Sequence, residues 1–124
     1  MPIGTKRYAR MAMLAGLCGV FATAGLMAIS DRQSEIDAGR KVYAARKCAT
    51  CHMVDRQGNI RYPLDGVASR LPAEDLRRWL TDTAEMEGAL PKQPAVRMSE
   101  WMKTNRRIPD RDLDLLVAYL ASLK

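Results

Sequence analysis

One histidine, one phenylalanine and 6% aromatic residues are all that this chain of 124 residues carries of those types. With a single histidine, no site in the chain can use two imidazoles. With so few rings, aromatic packing cannot supply the core. Only three cysteines are present, and a structural zinc site takes four ligands, usually Cys and His. Acidic residues are missing from the first 30 positions; all 14 lie beyond them. No segment of any length alternates apolar and polar residues, which argues against a sheet protein and for an all-α fold. Basic residues number 20, but no aromatic-studded basic stretch accompanies them, so nucleic acid is excluded as a partner.

What is present begins with an asymmetry. Residues 1–10 (MPIGTKRYAR) are basic, residues 11–29 contain no charge, and Asp31 is the first charged residue after them. A basic start, an apolar run and a polar boundary are the outline of an export segment. The small-residue triplets at 22–24 (ATA) and 28–30 (AIS) suit cleavage. Nineteen apolar residues also approach the roughly 20 that span a bilayer. The expectation is a signal peptide or uncleaved membrane anchor over 1–30 and a domain over 31–124. The basic side stays cytoplasmic, so the domain is placed on the periplasmic face of a bacterial inner membrane, or in the soluble periplasm after cleavage. Cys18 lies within the apolar run behind Leu17, which does not suit lipidation. From Asp31 onward 17 basic side chains face 14 acidic ones, a mildly basic surface.

Residues 47–52 read KCATCH. In an oxidising compartment the pair Cys48 and Cys51 could form a disulfide or a redox dithiol. A redox motif of that kind belongs between a strand and a helix, whereas "SEIDAGRKVYAARK" before it reads as helix. Two thiols at this spacing with His52 directly following are the pattern of covalent c-type haem attachment. The thiols form thioethers and the imidazole becomes an axial ligand.

Around the motif the chain reads as helices. Ser34 with Asp37 has the spacing of a capping box opening a helix to about Arg46. Gly39 inside that helix suggests close approach by another. Residues 55–69 read as an irregular loop. Pro72 is expected at the first position of a helix carrying Leu76, Trp79 and Leu80 on one face. A second loop runs to about Arg107. The closing helix begins near Pro109 with Asp110, Asp112 and Asp114 in its first turns. Leu113, Leu116, Val117, Leu120 and Leu123 form its apolar stripe.

Over about 90 residues, "GRKVYAARKCATCH", "YPLDGV", "LRRWL" and "DLDLLVAYLASLK" together resemble a class I c-type cytochrome, a small monohaem family. The resemblance implies one covalent haem c, a close crossing of first and last helices, and packing of Gly39 and Tyr43 against Tyr119. It implies that the carbonyl of Pro63 holds the ring of His52. It also implies a methionine as second axial ligand. Of the four methionines beyond residue 30, Met53 follows His52 too closely and Met86 comes too early. Met98 opens "MSEW", similar to the family's Met-Pro ligand loop with Ser99 in place of Pro. Met102 is the alternative. Arg61, Arg70 and Trp79, with Tyr62 and Trp101, are candidates to pair with the haem propionates, because buried charge needs partners.

The function so implied is one-electron transfer rather than enzymatic catalysis, with redox proteins as partners. Lys41, Arg46, Lys47, Lys92, Arg97 and Lys103 are candidates for steering an acidic docking face. A fixed haem subunit of a respiratory or photosynthetic membrane complex is the alternative, held by residues 11–29, whose Ala and Gly suit close helix packing in lipid.

Overall fold

The computed structural model describes residues 12–105 and 107–124, with side chains from residue 28 onward. The chain divides into two units, Met1–Ser34 and Glu35–Lys124. Helix α1 spans Ala12–Ala45. Ser34 therefore lies inside a helix, and its hydroxyl donates to the carbonyl of Asp31, one turn back, at 2.7 Å. The capping box expected at Ser34 and Asp37 does not form, because its cap residue is never at a helix start. The basic segment 1–10 lies outside the described residues, and the apolar run 11–29 is described only from Ala12. Among the described residues no helix is long and apolar enough to cross a membrane. The many Ala and Gly of the run keep its hydropathy moderate.

The second unit is mostly helical, but not all-α. A left-handed Lys47 (φ 55°) follows α1 and turns the chain into a 3-10 turn at Cys48–Thr50. Three short strands follow: β1 (His52–Val54), β2 (Gln57–Gly58) and β3 (Tyr62–Pro63). The sheet order is β2-β1-β3, with β1 antiparallel to β2 and parallel to β3. Strands of two or three residues are too short to print a period on the sequence. Asp55 and Arg56 connect β1 to β2 with φ of 50° and 61°, the signs a tight hairpin turn demands.

Another 3-10 turn (Val67–Ser69) leads to α2 (Ala73–Thr81), α3 (Thr83–Gly88), α4 (Met98–Thr104) and α5 (Asp110–Leu120). Pro72 is the N-cap of α2, one position before the one expected. The second expected loop, up to Arg107, contains α3 and α4, neither longer than two turns. In α5, Leu113, Leu116, Val117 and Leu120 are buried as the stripe requires, and Tyr119 joins them. Leu123 packs against this core from a half-buried position.

Gly39 shows why the first and last helices can meet. A Cβ there would lie 2.0 Å from the Leu115 carbonyl oxygen and 2.7 Å from Tyr119 Cβ. Beside this contact Tyr43 and Tyr119 stack edge to face with centroids 5.6 Å apart. Arg40 lies over the other ring, its guanidinium carbon 5.8 Å from the Tyr119 centroid.

Candidate functional site

The unit Glu35–Lys124 encloses a largely apolar cleft of about 320 Å³. Leu64, Val67, Leu76, Leu80, Leu116 and Leu120 contribute to its walls. Cys48, Cys51 and His52 line it as well, and so do Trp79, Met98 and Trp101. Residues separated by some 50 positions in the chain thus share one cavity.

His52 is held through both its backbone and its ring. Its carbonyl accepts from the Tyr43 hydroxyl at 3.3 Å and the Asn59 amide at 3.2 Å. Gly58 makes room for this: at φ 103°, a Cβ there would come within 2.2 Å of the same carbonyl oxygen. The ring Nδ1 lies 3.1 Å from the Tyr62 carbonyl oxygen. A carbonyl can only accept, so Nδ1 carries the proton and Nε2 keeps its lone pair free. The parallel register His52↔Tyr62 sets this bond. The carbonyl is therefore that of Tyr62 and not of Pro63, which is exposed and lies one residue beyond the ring. Burial pushes the His52 pKa below its ordinary value, against the smaller opposing effect of the Tyr62 bond. A neutral imidazole is the form that binds a metal.

Cys48 and Cys51 are free thiols, both half-buried. Burial is the main reason the Cys48 pKa rises to about 11, which keeps this sulfur a neutral thiol at physiological pH. Among the described residues no group of three or more His, Cys, Asp or Glu side chains could hold a metal ion. The cysteine pair is thus not part of a zinc site of side chains alone. An apolar cleft with two thiols and an oriented imidazole on its wall, and a thioether also lining it, fits a flat apolar macrocycle with a central metal.

Met102 does not reach this cleft. It lines a separate surface hollow with Ile108 and Leu113. Along α4, Met98 and Trp101 share one side while Ser99, Met102 and Lys103 share another. Arg61 and Arg70 are exposed and do not line the cleft; Lys47 and Arg97 do. Of the other basic candidates, Arg46 pairs with Asp112 at 3.7 Å and Lys103 with Glu100 at 2.8 Å.

Two roles gave no signal in the sequence, although Tyr62 itself was a candidate to pair with the haem propionates. The first is that of Tyr62, whose carbonyl holds His52 while its hydroxyl accepts the Val96 amide at 3.3 Å, two residues before Met98. The second is that of Glu87 in α3, which is 1% exposed. Its carboxylate accepts hydrogen bonds from the amides of Met98 and Ser99 and from the Ser99 hydroxyl. No spacing marks either role in advance, because each depends on groups that only folding brings together.

Neither a curated protein nor a solved structure matches the chain. A family model described as Cytochrome c matches residues 36–124, which include every residue of the cleft. Members of that family bind haem c covalently and carry electrons. The chain belongs to the cytochrome c family, as a class I c-type cytochrome.

Proposed function

We propose that the chain is a one-electron carrier in which Cys48 and Cys51 bind haem c through thioethers and His52 and Met98 are its axial ligands. The observation that carries this is the shared cleft: it gathers both thiols, the oriented imidazole and one methionine, and leaves Met102 outside. Haem supplies the redox-active iron, and Met/His ligation favours a high potential among c-type sites. The chain's own part is to hold the ligands. Tyr62 and Tyr43 fix His52, and the leucine walls exclude water, so that little rearranges when the charge on the metal changes.

The reading includes export, which the basic start and charge-free run 11–29 support, with the domain working on the periplasmic side. An acidic protein partner fits the exposed Lys47 and Arg97 at the cleft, next to the exposed apolar Val96.

Intact mass and visible spectra of the purified protein test the proposal together. The expected mass is the chain plus one haem, and an unmodified mass ends the proposal. Met98→Ala should abolish the ferric charge-transfer band of methionine ligation, whereas Met102→Leu should leave it unchanged. The reverse result would assign the ligand to Met102. The same mass reports whether residues 1–30 are retained, as in a tethered carrier, or lost, as in a soluble one.

A further inference from the structure

Glu87 is a carboxylate inside the protein, and burying one is costly unless its oxygens are satisfied. Here they are satisfied from one place. One oxygen accepts the Met98 amide, and the Ser99 amide at 3.2 Å. The other accepts the Ser99 hydroxyl. Among the described residues no lysine or arginine forms an ion pair with it. The first amides of a helix have no intrahelical acceptor, and Arg97, the N-cap of α4, gives them no side-chain bond. Glu87 does so from α3.

A further bond braces the same segment. The Glu87 carbonyl accepts from the Gln93 side-chain amide at 2.8 Å, and the Gln93 side-chain oxygen accepts from Arg97 at 3.0 Å. The chain between α3 and α4 is thereby closed on itself around Glu87.

We propose that Glu87 is the positioning residue for Met98: its carboxylate fixes the backbone from which the thioether reaches the cleft. The proposal rests on Met98 being the sixth ligand. It also gives a physical account of Ser99, which stands where similar ligand loops carry Pro. Proline has neither an amide hydrogen nor a hydroxyl, so two of the three bonds to Glu87 need a residue such as serine there. In place of a ring that stiffens the chain, this protein uses a buried acceptor that ties it down.

Carbon monoxide binding to the ferrous holoprotein tests this, because it reports how often the sixth position opens. Met98→Ala should bind it freely. Glu87→Ala should bind it at least about tenfold faster than the unaltered protein, with helix content by circular dichroism unchanged. Tenfold corresponds to about 1.4 kcal/mol, the low end for one hydrogen bond to a charged group. Glu87→Gln should restore slow binding, since its carbonyl can accept both amides and its NH2 can donate to the serine oxygen. Glu87→Ala binding no faster than the unaltered protein, while Met98→Ala does, would overturn the role of Glu87 and leave the ligand assignment standing. If Met98→Ala itself stays closed, the ligand assignment fails, and the proposal with it. Should Glu87→Ala not fold, Ser99→Ala removes one donor and keeps both amides. Faster binding then supports the proposal, and unchanged binding overturns it.

Discussion

At the scale of single residues, the fold turns on places where an atom would not fit. Gly39 is the clearest, since an added methyl would run into the backbone of α5 rather than into a side chain that could swing away. Gly39→Ala should gain about 1 kcal/mol in helix propensity. The clash should cost about 3 kcal/mol, the upper end for overpacking, because backbone cannot yield without parting two helices. The net expectation is a loss of about 2 kcal/mol, read as a lower denaturant midpoint at unchanged slope. This contact was legible in advance, for a glycine in mid-helix is expensive without a reason. Cys48, Cys51 and His52 stood out by their spacing, and the structure brings them to one cleft; Met98, which lines the same cleft, was singled out only by resemblance, with Met102 as the alternative. Glu87 was not legible. A glutamate in "MEGAL" looks like any solvated glutamate until α4 folds over it, and only then do its acceptors have donors.

Among the elements, the long apolar stripe of α5 could be read from spacing, while the short pieces could not. β1, β2 and β3 together hold seven residues and owe their existence to pairing with each other, so no local pattern declares them. α4 has the same character: seven residues form a marginal helix in isolation, and its start is stabilised by a side chain from α3. Ser34 shows the converse, a cap signature inside a longer helix, where neighbouring helical residues override it. The turn between β1 and β2 offers a test at this scale. Both of its residues have positive φ and neither is glycine, while the Asp55 amide is already secured by the Asp65 carboxylate at 2.8 Å. A left-handed non-glycine residue costs about 1–2 kcal/mol, and glycine adds about 0.4–1 kcal/mol of unfolded-state entropy. Arg56→Gly should therefore stabilise the protein by about 0.5–1 kcal/mol, seen as a raised melting temperature. A fall would mean that Arg56 makes interactions worth more than the strain of its backbone.

For the whole molecule, the division at Ser34 separates the cleft from the apolar run. Among the described residues, every one that holds His52 or lines the cleft belongs to Glu35–Lys124. Burial there supplies the core, and the closing contact between Gly39 and α5 lies inside the same unit. A chain that starts at Asp31 and is exported behind an unrelated cleavable signal should therefore gain one haem and show the same methionine-ligation band. It should also melt at the same temperature as the full-length protein. Its charge falls from +6 to +3, because Lys6, Arg7 and Arg10 leave with the first segment. If an acidic partner docks as proposed, truncation should leave the salt dependence of that docking unchanged, since Lys47 and Arg97 remain at the cleft. What should change is fractionation: if the full-length protein sediments with membranes, the shortened one should appear in the soluble extract. Loss of the methionine band or a lower melting temperature on truncation would instead show that residues before Asp31 support the cleft.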